Sequence, residues 1–295
     1  MSENMSESQR SIPQDAALGQ EVFPVALSAV KTGDVETLAQ LLQEHPALAS
    51  ARYEGSTLLN HLAGWPGHYP REAETALALI RAGVDVNARA GDPEKGETAL
   101  QWAASSDDVV LAELLLDAGT PVDGVGGDLR PLTQAIWYEC PQVAALLVRR
   151  GATLDLELAA ALGQMDQLAT CFDADGRLRP FACRHHHDAV KSSTELLVEA
   201  LCFAVYGGSV EAARYLLDRG AEVNGAGWDG APPLHWAARR TVTAMVELLV
   251  ERGADLSATD PKDGLTPLGW AERTKQHEMI ELLKRLGAQE NGVGL

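Results

Sequence analysis

Residues Leu216-Leu-Asp-Arg-Gly-Ala-Glu-Val-Asn224 contain two apolar side chains, two further residues and then Gly-Ala. Related segments recur along the chain, and the glycine of each copy marks its position. These glycines are Gly83, Gly119, Gly151, Gly220, Gly253 and Gly287. Their spacings are 36, 32, 69, 33 and 34 residues, and the value of 69 equals two periods with a weaker copy between them. A recurrence with a period near 33 residues predicts a repeat fold built of stacked units.

A second pattern precedes these glycines. It reads GETALQWAA over Gly96–Ala104, GAPPLHWAA over Gly230–Ala238 and GLTPLGWAE over Gly264–Glu272. Together the two patterns resemble the ankyrin repeat, whose signature is T-P-L-H-x-A, and the resemblance covers about residues 24–290. The chain is similar to stand-alone bacterial ankyrin proteins, for which the resemblance implies no activity.

The resemblance implies an all-α fold, a solenoid of stacked helix–turn–helix units with finger loops. The residue types fit this expectation. Thr before Pro caps a short helix, the apolar pair faces the core from a second helix, and Gly provides the left-handed residue that ends it. Because no unit buries its own apolar face, stacking provides the burial.

The positions of the two recurrent patterns divide the chain into an expected flexible tail, residues 1–23, and a single ankyrin-repeat domain, residues 24–295. About eight units are expected, and those at the two ends are degenerate caps. Their ranges are 24–54, 55–91, 92–126, 127–155, 156–175, 192–226, 227–260 and 261–295.

One long loop breaks the period. The unit at 156–175 has no room for a finger loop, and residues 176–191 are too long to be one. Ser192 and Glu195 then form a predicted capping box that opens an inner helix over 195–206. We expect the inserted loop, which contains Cys183-Arg-His-His-His-Asp188, to overhang the concave groove.

We predict no cofactor. Metal-binding spacings such as H-x-x-x-H or C-x-x-C are absent from the sequence. If a divalent metal did bind the inserted loop, its ligands would be His185, His187 and Asp188, because residues two apart in an extended segment share a face.

Exposed aromatic and arginine side chains are frequent in binding hot spots. The expected anchors along the groove and finger tips are Trp65, Trp137, Tyr138, Tyr206, Trp228, Arg239 and Arg240. They predict recognition of a protein or peptide, and the arginines suit an acidic segment of that partner. An alternative interpretation packs Trp65 and Trp137 against neighbouring turns.

A second function remains open, namely an enzyme or small-molecule binder whose groove is covered by the inserted loop. Acid–base or metal chemistry would then use side chains brought together on one groove wall and in the loop. The candidates are His61, His68, Asp107, Asp108, Glu139, His185 and His187. The two aspartates are equally explained as helix caps, so we favour the interaction module over the enzyme.

Bulk properties limit the partners. The 295 residues carry a net charge of −18, which disfavours nucleic acid and anionic membranes. No apolar run approaches the roughly 20 residues that cross a bilayer, and the polar N-terminus lacks the apolar core of a signal peptide. The four cysteines form no C-x-x-C pair and are expected to be thiols. We therefore expect a cytoplasmic monomer.

Overall fold

The computed structural model describes residues 21–180 and 191–289. The chain forms two compact units, residues 1–152 and 153–295. Over the described residues it consists of helices and turns, and its only β-type pairings are two isolated bridges, Tyr53 with Ser56 and Phe172 with Leu178. The predicted all-α fold is confirmed, whereas the single domain and its unit boundaries stay predictions.

The first unit consists of four helix pairs over its described residues. Its helices are α1 Phe23–Thr32, α2 Val35–Glu44, α3 Leu58–Ala63, α4 Glu72–Arg81, α5 Ala99–Ser105, α6 Val109–Asp117, α7 Arg130–Trp137 and α8 Pro141–Arg149, with a short 3₁₀ helix at Pro46–Ala49. The first helices of successive pairs pack on one another, and so do the second helices, which gives an inner and an outer layer.

The second unit repeats this arrangement over its described residues. Its helices are α9 Leu156–Ala161, α10 Met165–Thr170, α11 Ser193–Tyr206, α12 Val210–Asp218, α13 Pro233–Arg240, α14 Thr243–Glu251, α15 Pro267–Arg273 and α16 His277–Arg285. The inner layer is α9, α11, α13 and α15, in that order of contact.

The recurrent glycines end the outer helices, as the sequence predicts. All six adopt positive φ, from +83° at Gly83 to +105° at Gly287. This left-handed conformation is easily reached by Gly and costs other residues strain. The repeated Gly-Ala element is therefore a helix stop that turns the chain toward the next finger.

Side-chain caps start several inner helices. Thr57, Thr98 and Ser192 each form a full capping box with the third helical residue. The predicted box of Ser192 with Glu195 is confirmed, and α11 begins at Ser193, two residues before the predicted start. The unit without a finger is confirmed as well, because α9 begins at Leu156 with Asp155 as its cap. Residues 181–190 lie outside the described residues, so the overhang of the inserted loop stays a prediction.

Buried polar groups join adjacent pairs in the second unit. His235 is fully buried and its Nε2 lies 3.1 Å from the Leu265 carbonyl oxygen, as expected of a structural histidine. Asp260 accepts hydrogen bonds from the Trp270 indole and from the backbone N–H of Leu265. Trp236 and Trp270 are both 6% exposed and belong to the core.

None of the helices in the two described stretches combines the length and the apolar character that a membrane span requires.

The close approach of α11 to α9 depends on Gly207. A Cβ atom there would lie 1.9 Å from the carbonyl oxygen of Ala161. We expect Gly207→Ala to lower the free energy of unfolding by about 3 kcal/mol, because the backbone of α9 must move. Urea denaturation followed by circular dichroism measures this change.

Gly220→Ala is the matched control. Gly220 has φ +88°, and a Cβ atom added there would meet no other atom within 4 Å, so only backbone strain opposes the substitution. Its expected cost is about 1 kcal/mol. A smaller loss for Gly207→Ala than for Gly220→Ala would show that the two helices do not approach this closely.

Candidate functional site

Three arginines form a row at the C-terminal ends of inner helices in the second unit. Arg239 and Arg240 end α13, and Arg273 ends α15. A cation at this end of a helix is favoured by the helix dipole. We call these three residues the arginine row.

Each arginine of the row lies over an aromatic ring. The guanidinium carbon is 5.6 Å from the Trp236 ring centre for Arg239 and 5.5 Å from the Trp270 ring centre for Arg273. Arg240 lies 4.7 Å from the ring of Tyr206. Such cation–π contacts hold the long side chains in place.

A cluster of rings lies beneath the row. Trp236 contacts Trp228, Tyr206 and Trp270, with ring centres 5.2, 5.6 and 5.2 Å apart, respectively. Trp228 is partly exposed, but Tyr206 is only 7% exposed. The expectation that Tyr206 is an exposed anchor is wrong, because Arg240 and the two tryptophans cover its ring.

The arginines differ in their partners. Arg273 forms an ion pair with Asp263. Arg239 is exposed, and over the described residues its guanidinium forms no ion pair. Arg239 is therefore the cation of the row that is most accessible to an acidic group.

Two aromatic residues of the first unit are largely exposed. Trp65 is 95% exposed and Tyr138 is 63% exposed, while Trp137 is partly buried. The interpretation that packs Trp65 against a neighbouring turn is wrong. A pocket of about 280 Å³ lies beside this residue, lined by Lys31, Asn60, His61, Gly64, Trp65, Tyr69 and Trp102.

His61 is a packing residue at one side of this pocket. Its ring lies against Phe23 and Tyr53, with ring centres 6.0 and 6.5 Å away. Burial lowers the pKa of this imidazole, although a hydrogen bond to the Tyr53 carbonyl partly offsets the effect. The imidazole is therefore favoured in its neutral form, which suits packing against two aromatic rings.

His68 and Asp108 come together with a third residue, Glu72. His68 Nδ1 lies 3.7 Å from Asp108 Oδ2 and 4.0 Å from Glu72 Oε2. The side chain of His68 is 58% exposed, that of Glu72 is 13% exposed and that of Asp108 is 7% exposed. Over the two described stretches, these three side chains are the one group of His, Cys, Asp and Glu with the spacing of metal ligands. We call them the carboxylate–histidine cluster.

Local structure positions each member of the cluster. His68 adopts φ +51° in the turn before α4, and Glu72 is the first residue of that helix. Asp108 caps α6 by accepting a hydrogen bond of 2.9 Å from Leu111 N–H. The cap predicted for Asp108 is thus confirmed, and its second oxygen remains for the cluster.

The other acidic candidates of this unit do not join the cluster. Asp107 accepts hydrogen bonds from Val143 N–H and the Gln142 amide, at the start of α8. Glu139 is exposed and adopts φ +58° in the turn before α8. Neither residue belongs to the group with the spacing of metal ligands, and their expected gathering with His61 on one groove wall stays a prediction. Glu72 is not among the residues expected from the sequence, although its position four residues after His68 is a signal of their proximity.

Burial and Asp108 together raise the pKa of Glu72 to about 8. Burial has the larger effect, and a shared hydrogen bond and repulsion from the Asp108 carboxylate add to it. At neutral pH, Glu72 therefore retains a proton that an exposed glutamate would release.

The loop candidates His185, His187 and Asp188 lie outside the described residues. The contribution predicted for them stays a prediction.

The paired, layered helices with a glycine stop at each period define a helical-repeat protein. Residues 181–260 and 201–292 match the family described as ankyrin repeats in three copies, and residues 95–125 match the single ankyrin repeat. The chain therefore contains ankyrin repeats over these residues, as the sequence predicts.

Known proteins share short segments with it. An 87-residue segment, 30% of this chain, is 40% identical to the ankyrin repeat and LEM domain-containing protein 1 homolog of Caenorhabditis elegans. A 78-residue segment, 26% of this chain, is 37% identical to the palmitoyltransferase AKR1 of Lachancea kluyveri. Each match spans 10% of the relative's length. The solved human ASB11 ankyrin repeat domain is 19% identical with a TM-score of 0.47, over 90% of this chain and 99% of that one.

The protonated state of Glu72 predicts a pH effect on stability. The folded chain retains this proton up to about pH 8 and the unfolded chain loses it above about pH 4.5, so Glu72 lowers stability progressively between these values. We expect the stability of Glu72→Gln relative to the parent chain to rise by about 1–2 kcal/mol from about pH 5 to about pH 8, because partial water access reduces the full effect. Urea titrations in EDTA at several pH values measure it.

Glu74→Gln is the matched control on the same helix. Glu74 is exposed and its hydrogen bond with Arg71 lowers its pKa, so it is ionised throughout this range. Its difference from the parent chain should stay constant above about pH 5. A constant difference for Glu72→Gln as well would show that Glu72 is ionised in the folded chain.

Proposed function

We propose that this chain is a cytosolic, monomeric ankyrin-repeat module that binds a protein or peptide partner, and that the arginine row contacts an acidic segment of that partner. Ankyrin repeats in general mediate protein–protein interaction. The observation that carries the proposal is the row itself, in which each cation lies over a ring of the inner layer.

The charge of the chain makes the row distinctive. The whole sequence has 42 acidic and 24 basic residues. Arg239 and Arg240 are adjacent at one helix end, and a third arginine occupies the same place in the next repeat. A planar guanidinium presents paired N–H donors that match a carboxylate. The acidic remainder of the chain repels polyanions, which favours a short acidic segment over nucleic acid.

Exposed aromatic residues support partner binding in the first unit. Trp65 and Tyr138 present large apolar surfaces to solvent, and such residues are enriched in binding hot spots. We assign them to partner contact, together with the partly exposed Trp137 and, in the second unit, the partly exposed Trp228.

The thiols favour a cytosolic location. Cys140, Cys171 and Cys202 are buried and free. Burial raises the pKa of all three, which keeps the thiols protonated and unreactive. Free thiols are typical of proteins in a reducing compartment.

Charge reversal at the row tests the proposal. The probe is an array of acidic peptides, each paired with a peptide in which amides replace the carboxylates. We expect the parent chain to retain acidic peptides and not their amide partners. Arg239→Glu/Arg240→Glu should bind them at least about tenfold more weakly, because each charged hydrogen bond contributes about 1.5–3 kcal/mol. Fluorescence anisotropy on the selected peptides gives the affinities.

Arg214→Glu/Arg285→Glu is the matched control. It reverses two exposed arginines of the outer helices α12 and α16 and changes the net charge equally. We expect its peptide affinity to remain within about twofold of the parent value, since distant surface charges are screened by salt. If both double variants weakened peptide binding equally, the change in net charge alone would explain the loss of affinity. This result would refute a role for the arginine row. Melting curves establish that both variants are folded.

A further inference from the structure

The carboxylate–histidine cluster in the first unit contains the donor atoms of a transition-metal site. His68 offers an imidazole nitrogen, and Glu72 and Asp108 each offer a carboxylate oxygen. Zn²⁺ is bound by nitrogen and oxygen donors of these kinds. Partner binding by the arginine row requires none of these residues, so the cluster concerns a different property of the chain.

The donor spacing is close to what such an ion requires. The three donor atoms lie within 4.8 Å of one another, and the His68–Asp108 separation is 3.7 Å. In a tetrahedral site with bonds of about 2.0–2.1 Å, neighbouring donors are about 3.3 Å apart. The His68–Asp108 separation must shorten by about 0.4 Å and the 4.0 Å His68–Glu72 separation by about 0.7 Å, and the exposed His68 side chain has room to move.

Without a cation, the buried side chains of Glu72 and Asp108 have few polar partners. Glu72 Oε1 is buried and has no hydrogen-bond partner within the described stretches. In the same stretches, neither Glu72 nor Asp108 pairs with Lys or Arg, and His68 is their one basic neighbour. A divalent ion would displace the proton of Glu72 and bind carboxylate oxygens that have few partners in the protein.

One carboxylate is already oriented by the fold. Asp108 Oδ1 accepts the Leu111 N–H that starts α6, and this leaves Oδ2 directed at His68. Hydrogen bonds behind a ligand fix its position and strengthen metal binding.

We propose that His68, Glu72 and Asp108 bind one divalent transition-metal ion, best matched by Zn²⁺, with a further position open to water beside the exposed imidazole. The nitrogen donor and the small number of ligands disfavour Mg²⁺ and Ca²⁺, which take six or more oxygen ligands.

Zinc titration of the chelator-treated chain tests the site. The chain is made without a histidine tag and carries His185→Ala/His186→Ala/His187→Ala, which removes the loop imidazoles as competing ligands. We expect isothermal titration calorimetry to give one Zn²⁺ per chain and no heat with Mg²⁺. Co²⁺ should give the visible absorption of a site with four or five ligands.

Single substitutions in this background locate the ion. His68→Asn tolerates the left-handed backbone, and Glu72→Gln removes one carboxylate without a predicted loss of stability. Each should weaken Zn²⁺ binding at least about tenfold, because even the loss of a residue behind a ligand costs 10–100-fold. His277→Asn and Glu113→Gln, two exposed residues elsewhere, should leave the affinity unchanged.

Two results would overturn the proposal. One is Zn²⁺ binding that disappears with the three loop histidines, which would place the ion on the loop. The other is equal affinity in the cluster variants and their controls. Circular dichroism and melting curves identify any variant that is misfolded. If one of the two cluster variants is misfolded, the Zn²⁺ affinity of the other one tests the proposal.

Discussion

No helix pair in either unit buries its apolar face by itself. The helices are short, most of them between six and ten residues, and isolated helices of this length are marginal in water. Their stability comes from the inner and outer layers, in which each pair contacts the next one within the same unit. Adjacent inner helices approach closely where the residues are small, as at Gly207, which lies against the backbone of Ala161. Everything that the surface presents depends on this stacking.

Local signals explain why much of the fold could be predicted from the sequence. The glycine stops and the capping box at Ser192 act within a few residues of chain, so their patterns alone identify them. The absence of a finger loop before α9 follows in the same way from the short distance between Gly151 and the start of α9 at Leu156. Even so, α11 begins earlier than expected, since helix ends depend on contacts that a pattern does not contain.

The candidate sites were less predictable, because they depend on contacts between repeats. Tyr206 ends α11 and looked exposed, yet Trp228 and Arg240 of the following repeat cover its ring. The sequence does not indicate that Glu72 meets Asp108, because the two residues lie about one repeat apart along the chain. Its neighbour Asp107 illustrates the same difficulty, since that side chain caps the next outer helix instead of facing the cluster.

The arginines of the row are held in position before any partner arrives. A long cationic side chain normally has many rotamers, and fixing one at an interface costs about 0.5–1.5 kcal/mol. Arg240 over Tyr206 and Arg239 over Trp236 have already lost part of that freedom. If the row binds an acidic segment as proposed, the buried rings of Tyr206 and Trp236 lower the entropic cost of that binding without being contact residues themselves.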